Sequence, residues 1–117
     1  MVRLLNAAVM PREGVYISRA ITAREYAEAV RRAYEAGTLA SYIGYPETAR
    51  MIEDLTGVPI QVSRDSTPVE DGDVLLVARL QYRVAHPSLK GRMLTSLDDY
   101  EFFRVEYHEH DRQIKPT

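Results

Sequence analysis

The stretch Val74-Leu75-Leu76-Val77-Ala78-Arg79-Leu80-Gln81-Tyr82-Arg83-Val84 decides the fold. Side chains alternate across a strand with period two. Val74, Leu76, Ala78, Leu80, Tyr82 and Val84 therefore share one face, while Leu75, Val77, Arg79, Gln81 and Arg83 share the other. The first set reads as core along its whole length. The second changes from apolar to guanidinium and amide toward the end of the strand.

Reading outward, Asp71-Gly72-Asp73 is a turn into this strand, and a loop with Pro87 and Gly91 leaves it. Tyr100 to Tyr107 is predicted as a last strand, followed by a polar, frayed tail over His108–Thr117. Upstream, Pro59 to Ser63 is predicted as a short strand. Gly44-Tyr45-Pro46 announces a helix, because proline at the first helical position loses no hydrogen bond. Thr48, Met51, Ile52 and Leu55 share one face of that helix, and Gly57 ends it. Thr22-Ala23-Arg24-Glu25 has capping-box spacing. It opens a helix with Tyr26, Val30, Ala33 and Tyr34 on its apolar face and Gly37 as its stop. The apolar run from Val2 to Met10, closed by Pro11 and Gly14, reads as a buried first strand, with Val15 to Ser18 following it as a hairpin. The predicted order β-β-α-α-β-β-β is an α+β fold. It comprises a single domain over residues 1–107, with a mixed five-stranded sheet and two main helices packed on one face.

Composition narrows the function classes. A chain of 117 residues buries roughly two-thirds of its unfolded surface, enough for one core without staples. Cysteine is absent, which removes disulfides and cysteine–zinc sites and suits a cytoplasmic protein. The net charge of −2 gives no overall attraction to long nucleic acid or to anionic lipid. No apolar run approaches the ~20 residues of a membrane helix, and the first residues lack the pattern of a signal peptide. An anion site must therefore be built locally from a few donors.

Three places offer such donors. The loop Ser41-Tyr42-Ile43-Gly44-Tyr45-Pro46 feeds a helix N-terminus, whose unpaired N–H groups and positive dipole end suit a phosphate. Tyr45 precedes proline and is held extended, placed to stack on or donate to a ligand. The plain alternative is an ordinary loop, with Glu47 answering the dipole. Arg79, Gln81 and Arg83, with Arg64 on a neighbouring element, can bracket phosphate oxygens through charge-assisted bonds. The same residues also fit a solvent-facing stripe. Leu75 and Val77 beside them point instead to a homodimer interface with a pocket next to it. His86 follows the long strand, where nearby arginines would keep its ring neutral and able to act as a general base. The plain alternative is a loop histidine with no role. His108 and His110 share strand parity with Glu106, a sparse set for a metal; no metal or other cofactor is expected.

These same residues carry a resemblance. Leu4-Leu5-Asn6-Ala7, Ser41-x-Ile43-Gly44 ahead of a helix with Thr48-Ala49, Gly57-Val58-Pro59, Arg64, Gly72-Asp73, Leu80-x-Tyr82-Arg83 and Asp99-Tyr100-Glu101-Phe102 occur in a familiar order. The chain resembles the small viral and prophage family of type III anti-CRISPR ring nucleases. That resemblance implies a homodimer binding cyclic tetra-adenylate across its two-fold axis, with metal-independent cleavage by a histidine directly after the Ile-Gly pair. Here Tyr45 stands at that position, and a phenol's reference pKa of about 10 makes it a poor proton shuttle. Arg83 matches the family's arginine, and His86 stands where an acidic residue is usual.

Three functions follow as expectations. The first is sequestration of a nucleotide second messenger, with Asn6, Ser41, Ile43, Gly44, Tyr45, Arg64, Arg79, Gln81 and Arg83 as ligand-binding residues. The second is ring cleavage, with His86 or Tyr45 as catalytic residue. The third is a protein-interaction inhibitor using the same basic face against an acidic patch.

Overall fold

A computed structural model describes residues 1–7, 10–81 and 97–109. The elements in chain order are β1 (Val2–Leu5), β2 (Val15–Ile21), α1 (Ala23–Glu35), β3 (Leu39–Tyr42), α2 (Pro46–Thr56), β4 (Val74–Leu80) and β5 (Tyr100–His108), with a short 3-10 turn at Leu97–Asp99. The five strands form one mixed sheet in the order β2-β5-β4-β1-β3. β1 pairs in parallel with β3 on one side and β4 on the other, while β5 runs antiparallel to both β4 and β2. The fold is the expected α+β domain.

Alternation along β4 divides the core in two. Leu76 and Ala78 pack with Leu4, Tyr100 and Phe102 beneath Tyr26 and Val30 of α1 and Ala49, Met51 and Ile52 of α2, so both helices cover one face. Leu75 and Val77 lie on the opposite face with Leu5, Val69, Val105 and Tyr107. Each helix forms where its local signals place it. Thr22 and Glu25 complete a reciprocal capping box at α1, and α2 starts at Pro46 and ends on Gly57, whose φ of 75° is the left-handed conformation glycine adopts without steric cost.

One charged pair is buried in the second face. Arg3 alternates with the apolar residues of β1, and its Nε donates to Asp73 Oδ2 at 2.8 Å, with the two side chains 7% and 5% exposed. Arg3 Nη1 also donates to the Tyr42 hydroxyl at 3.3 Å. Asp73 accepts the Glu70 N–H at 2.9 Å and faces the N-terminal ammonium at 3.4 Å. Burial raises the Asp73 carboxyl, but the Arg3 hydrogen bond and charge, the Glu70 N–H and the ammonium outweigh it and leave the group below its ordinary value.

Several sequence expectations are corrected. The first strand ends at Leu5 rather than continuing to Met10, because the chain bends at Asn6 and Ala7, and Met10 is 75% exposed. β1 and β2 do not form a hairpin; β4 and β5 lie between them. β2 continues to Ile21, beyond the expected end at Ser18. Leu39–Tyr42 is a strand that takes in Ser41 and Tyr42 of the expected loop, so the helices are separated and the order is β-β-α-β-α-β-β. Residues 59–63 form only an isolated bridge, Ile43 with Val62. Pro59 has no N–H to offer, and the Ile60 N–H is taken by Glu53 Oε1 at 2.8 Å. Tyr34 is half exposed instead of core, and α1 stops two residues before Gly37. The described part of the long strand ends at Leu80, and Tyr82, Arg83, Val84 and His86 lie outside the described residues. β5 includes His108, the first residue of the expected tail.

Two outcomes follow for stability. Asp73→Asn keeps an acceptor for Glu70 but leaves the Arg3 charge uncompensated, and is expected to cost about 3 kcal/mol in urea unfolding, the lower range for breaking a buried pair. A carboxyl depressed in the fold contributes stability above its unfolded value of about 4 and loses it as pH falls through the folded value. Wild-type stability should therefore drop more steeply than that of Asp73→Asn between roughly pH 5 and pH 3. Separately, the fully buried Tyr26 hydroxyl has no hydrogen-bond partner among the described residues, and burial pushes that phenol's pKa up. Removing an orphaned polar group relieves its desolvation cost, so Tyr26→Phe should stabilise the fold by about 1 kcal/mol, seen as a higher urea midpoint.

Candidate functional site

In an open sheet with parallel strands, a crevice forms at the carboxyl ends where neighbouring connections diverge. β1 is such a strand, flanked in parallel by β3 and β4. Asn6 leaves the end of β1, and Ile43-Gly44-Tyr45 leaves the end of β3 and leads into α2. Asn6 Oδ1 accepts the Gly44 N–H at 2.9 Å, and Arg64 Nε donates to the Gly44 carbonyl at 3.1 Å. One glycine is thus held at both its polar groups by two residues distant in sequence. The bond through Oδ1 leaves the Asn6 amide NH2 as a donor, and the bond through Nε leaves both Nη groups of Arg64 without a bond to another described residue.

Ser41 belongs to the scaffold of this cluster. Its Oγ donates to the Gln61 carbonyl at 2.6 Å, while Ser63 N donates to the Ile43 carbonyl at 2.9 Å. These bonds lash segment 59–65 to the end of β3 and so place Arg64 beside Gly44. Ile43 is fully buried, an anchor beneath the loop rather than a contact surface. Tyr45 is the N-cap of α2, extended at φ −114°, with its side chain 54% exposed and making no capping bond. A groove of about 670 Å³ between β3 and segment 59–65 is lined by Ser41, Tyr42, Gln61, Ser63 and Arg64 among others. A Cβ added at Gly44 would meet Arg64 Cγ at 3.6 Å and Asn6 Oδ1 at 3.8 Å, ordinary contact distances.

The structure brings Asn6, Ser41, Ile43, Gly44, Tyr45 and Arg64 to one end of the sheet. Arg79 stands apart in its chemistry. It lies opposite Glu101 on β5, pairs with that carboxylate, and stacks over the Phe103 ring at 5.2 Å. A phosphate would compete there with a carboxylate already in place. The signal for Glu101 was present as strand parity, but pairing β4 with β5 in this register needed the fold. Gln81 donates its N–H to the Asp99 carbonyl and its side-chain amide to the Tyr100 carbonyl, joining the two ends of the connection from β4 to β5. Arg83 and His86, expected on the same rim, lie outside the described residues.

The histidine pair of the C-terminal region divides similarly. His108 Nε2 is 3.6 Å from Glu106, whose carboxyl is held below its usual value chiefly by its hydrogen bond with Arg104. His110 lies outside the described residues, and no group of three metal-ligating side chains is gathered among the described ones. No described helix is long and apolar enough to cross a membrane.

Comparison with known proteins agrees with this architecture. B116 of Sulfolobus turreted icosahedral virus matches with a TM-score of 0.71 over 89% of this chain and 97% of that chain, at 19% identity. Likeness at that identity is one of fold. No curated protein matches the sequence. The model of the STIV B116-like family matches residues 2–107, from the first strand through Tyr107 in β5. That span takes in all of the sheet but its last residue, both helices and the Asn6–Gly44–Arg64 cluster, and the chain belongs to the STIV B116-like family.

Proposed function

We propose that this protein binds and sequesters a nucleotide second messenger of the cyclic oligoadenylate type, in a pocket shared by two copies of the chain. The carrying observation is the clamped Gly44 peptide, which fixes two donors of the kind a phosphodiester requires, the Arg64 Nη groups and the Asn6 amide, at the strand ends. Guanidinium bonds to phosphate are charge-assisted and about twice as strong as neutral ones. The exposed Tyr45 ring supplies a stacking surface for a base at the mouth of α2, whose first turn adds the positive end of its dipole. A ligand carrying alternating phosphates and bases matches this alternation of donors and ring. Sequestration rather than cleavage fits the phenol at position 45, because general acid–base catalysis works best with a group titrating near the operating pH.

Incubation with radiolabelled cyclic tetra-adenylate, followed by chromatography, tests the reading. Retained intact ring is the expected result. Linear products that disappear in His86→Ala would replace sequestration with cleavage. A protein that retains no cyclic oligoadenylate would overturn the nucleotide reading and favour a protein-interaction inhibitor. Arg64→Gln should weaken binding by roughly 10- to 100-fold, corresponding to about 1.5–3 kcal/mol for a charged hydrogen bond, with unchanged circular dichroism.

Gly44→Ala supplies a second measurement, because the added methyl meets only ordinary contacts inside the protein. Its thermal midpoint should match wild type, whereas a ligand lying against that backbone is expected to bind about tenfold more weakly, a loss of about 1.4 kcal/mol. Equal affinity for the two proteins would place the ligand elsewhere.

A further inference from the structure

The groove between β3 and segment 59–65 contains a side chain whose position is set from inside the fold. Tyr42 is the last residue of β3, directly ahead of Ile43 and Gly44, and it lines the groove together with Ser63 and Arg64. Its side chain is partly buried and packs against the cluster of Leu5, Leu75 and Val77 on the face opposite the helices. There it meets Arg3. The guanidinium lies 5.9 Å from the centre of the Tyr42 ring, and Nη1 donates to the hydroxyl at 3.3 Å. Arg3 is itself held, because its Nε is bonded to Asp73 and its side chain is 7% exposed.

This contact leaves the phenol with one role open. A tyrosine hydroxyl both accepts and donates. In Tyr42 the acceptor side is taken by the guanidinium, and among the described residues the hydroxyl donates to none. Accepting a bond from a cation polarises the O–H, since hydrogen bonds in a chain strengthen one another. The Asp73–Arg3 pair thus ends in an uncharged, oriented donor on a residue of the groove wall. Tyrosine has only two side-chain torsions, so holding it costs little entropy.

We infer that Tyr42 is a further ligand-binding residue, donating its hydroxyl hydrogen to a non-bridging phosphodiester oxygen of the nucleotide, with Arg3 as the residue that positions it. This rests on the nucleotide reading above and adds an uncharged donor to the charged one at Arg64. A phosphodiester carries two non-bridging oxygens and accepts from a guanidinium and a hydroxyl together. A base edge offers no charge to answer Arg64.

Titration of cyclic tetra-adenylate against the full chain across a salt series separates the two donors. Cations that neutralise phosphates set the slope of log affinity against log salt, and a neutral donor does not. Tyr42→Phe should bind roughly 3- to 10-fold more weakly at every salt concentration, with the wild-type slope and unchanged circular dichroism. Arg64→Gln should flatten the slope. Arg3→Lys keeps a charge for Asp73 while giving up the fork that reaches Tyr42. It should weaken binding in the wild-type background and have no further effect beside Tyr42→Phe. If wild type binds, three results overturn the role of Tyr42 and leave the nucleotide reading standing. They are equal affinity in Tyr42→Phe, a flattened slope in Tyr42→Phe (which would mean displacement of Arg64), and an Arg3→Lys effect that is the same in both backgrounds. A wild type that binds no cyclic tetra-adenylate overturns the nucleotide reading, and the role of Tyr42 with it.

Discussion

The structure depends on β1 being paired in parallel on both sides. Four residues, Val2 to Leu5, join β3 to β4 and so connect the two halves of the sheet. Such a short strand makes few ladder bonds, and its side chains supply the remaining hold. Leu4 is fully buried under the helices, Leu5 is buried on the opposite face, and Arg3 grips Asp73 at the turn into β4. The N-terminal ammonium joins the same carboxylate, so the beginning of the chain is fastened to the beginning of β4 at the start of the parallel register. A buried ion pair is costly to desolvate and gives uncertain net stability, but it strongly penalises arrangements that leave either partner alone. Its contribution here is register. Slipping β1 by one residue would turn Arg3 into the helix-side core and Leu4 away from it.

That parallel arrangement creates the candidate site. Because β1, β3 and β4 point the same way, the chain leaves all three at one end, and segments far apart in sequence converge there. Asn6 meets Gly44 across 38 residues, and Arg64 reaches Gly44 across 20. The hydrogen bonds of Ser41 and Ser63 make this convergence rigid without occupying the outer nitrogens of Arg64. Preorganised donors lose less entropy on binding than donors on free side chains, which gives a local anion site an advantage in a chain whose net charge is −2. Arg79 illustrates the opposite case, an arginine whose charge is answered by Glu101 and whose plane is covered by Phe103.

Local signals proved legible where one residue's chemistry answers a neighbour. Thr22 with Glu25, Pro46 with the end of β3 and Gly57 with α2 are all contained within a few residues, and each forms as its spacing implies. The alternation of β4 similarly identified both faces before any partner was known, down to Leu76 and Ala78 under the helices and Leu75 and Val77 opposite. What escaped the sequence was pairing. Leu39-Ala40-Ser41-Tyr42 has too little apolar periodicity to announce a strand, and it becomes one because β1 offers an unfilled edge. Pro59–Ser63 looks more strand-like but lacks a free N–H at its start and has its Ile60 N–H claimed by Glu53. Arg3 sits in an apolar run where nothing local explains a charge, since its partner Asp73 lies 70 residues away.

By itself, then, the sequence determined the α+β class, the helix ends, the two-faced central strand and the residue types gathered in Asn6, Gly44, Tyr45 and Arg64. These follow from backbone stereochemistry and side-chain periodicity, which act over one or two turns or a few strand residues. Only the tertiary structure decided the strand order, the parallel partners of β1, the clamp on the Gly44 peptide and the lashing of segment 59–65 to the end of β3. Those features arise from hydrogen bonds between segments distant along the chain, whose formation depends on which edges the packed core leaves available.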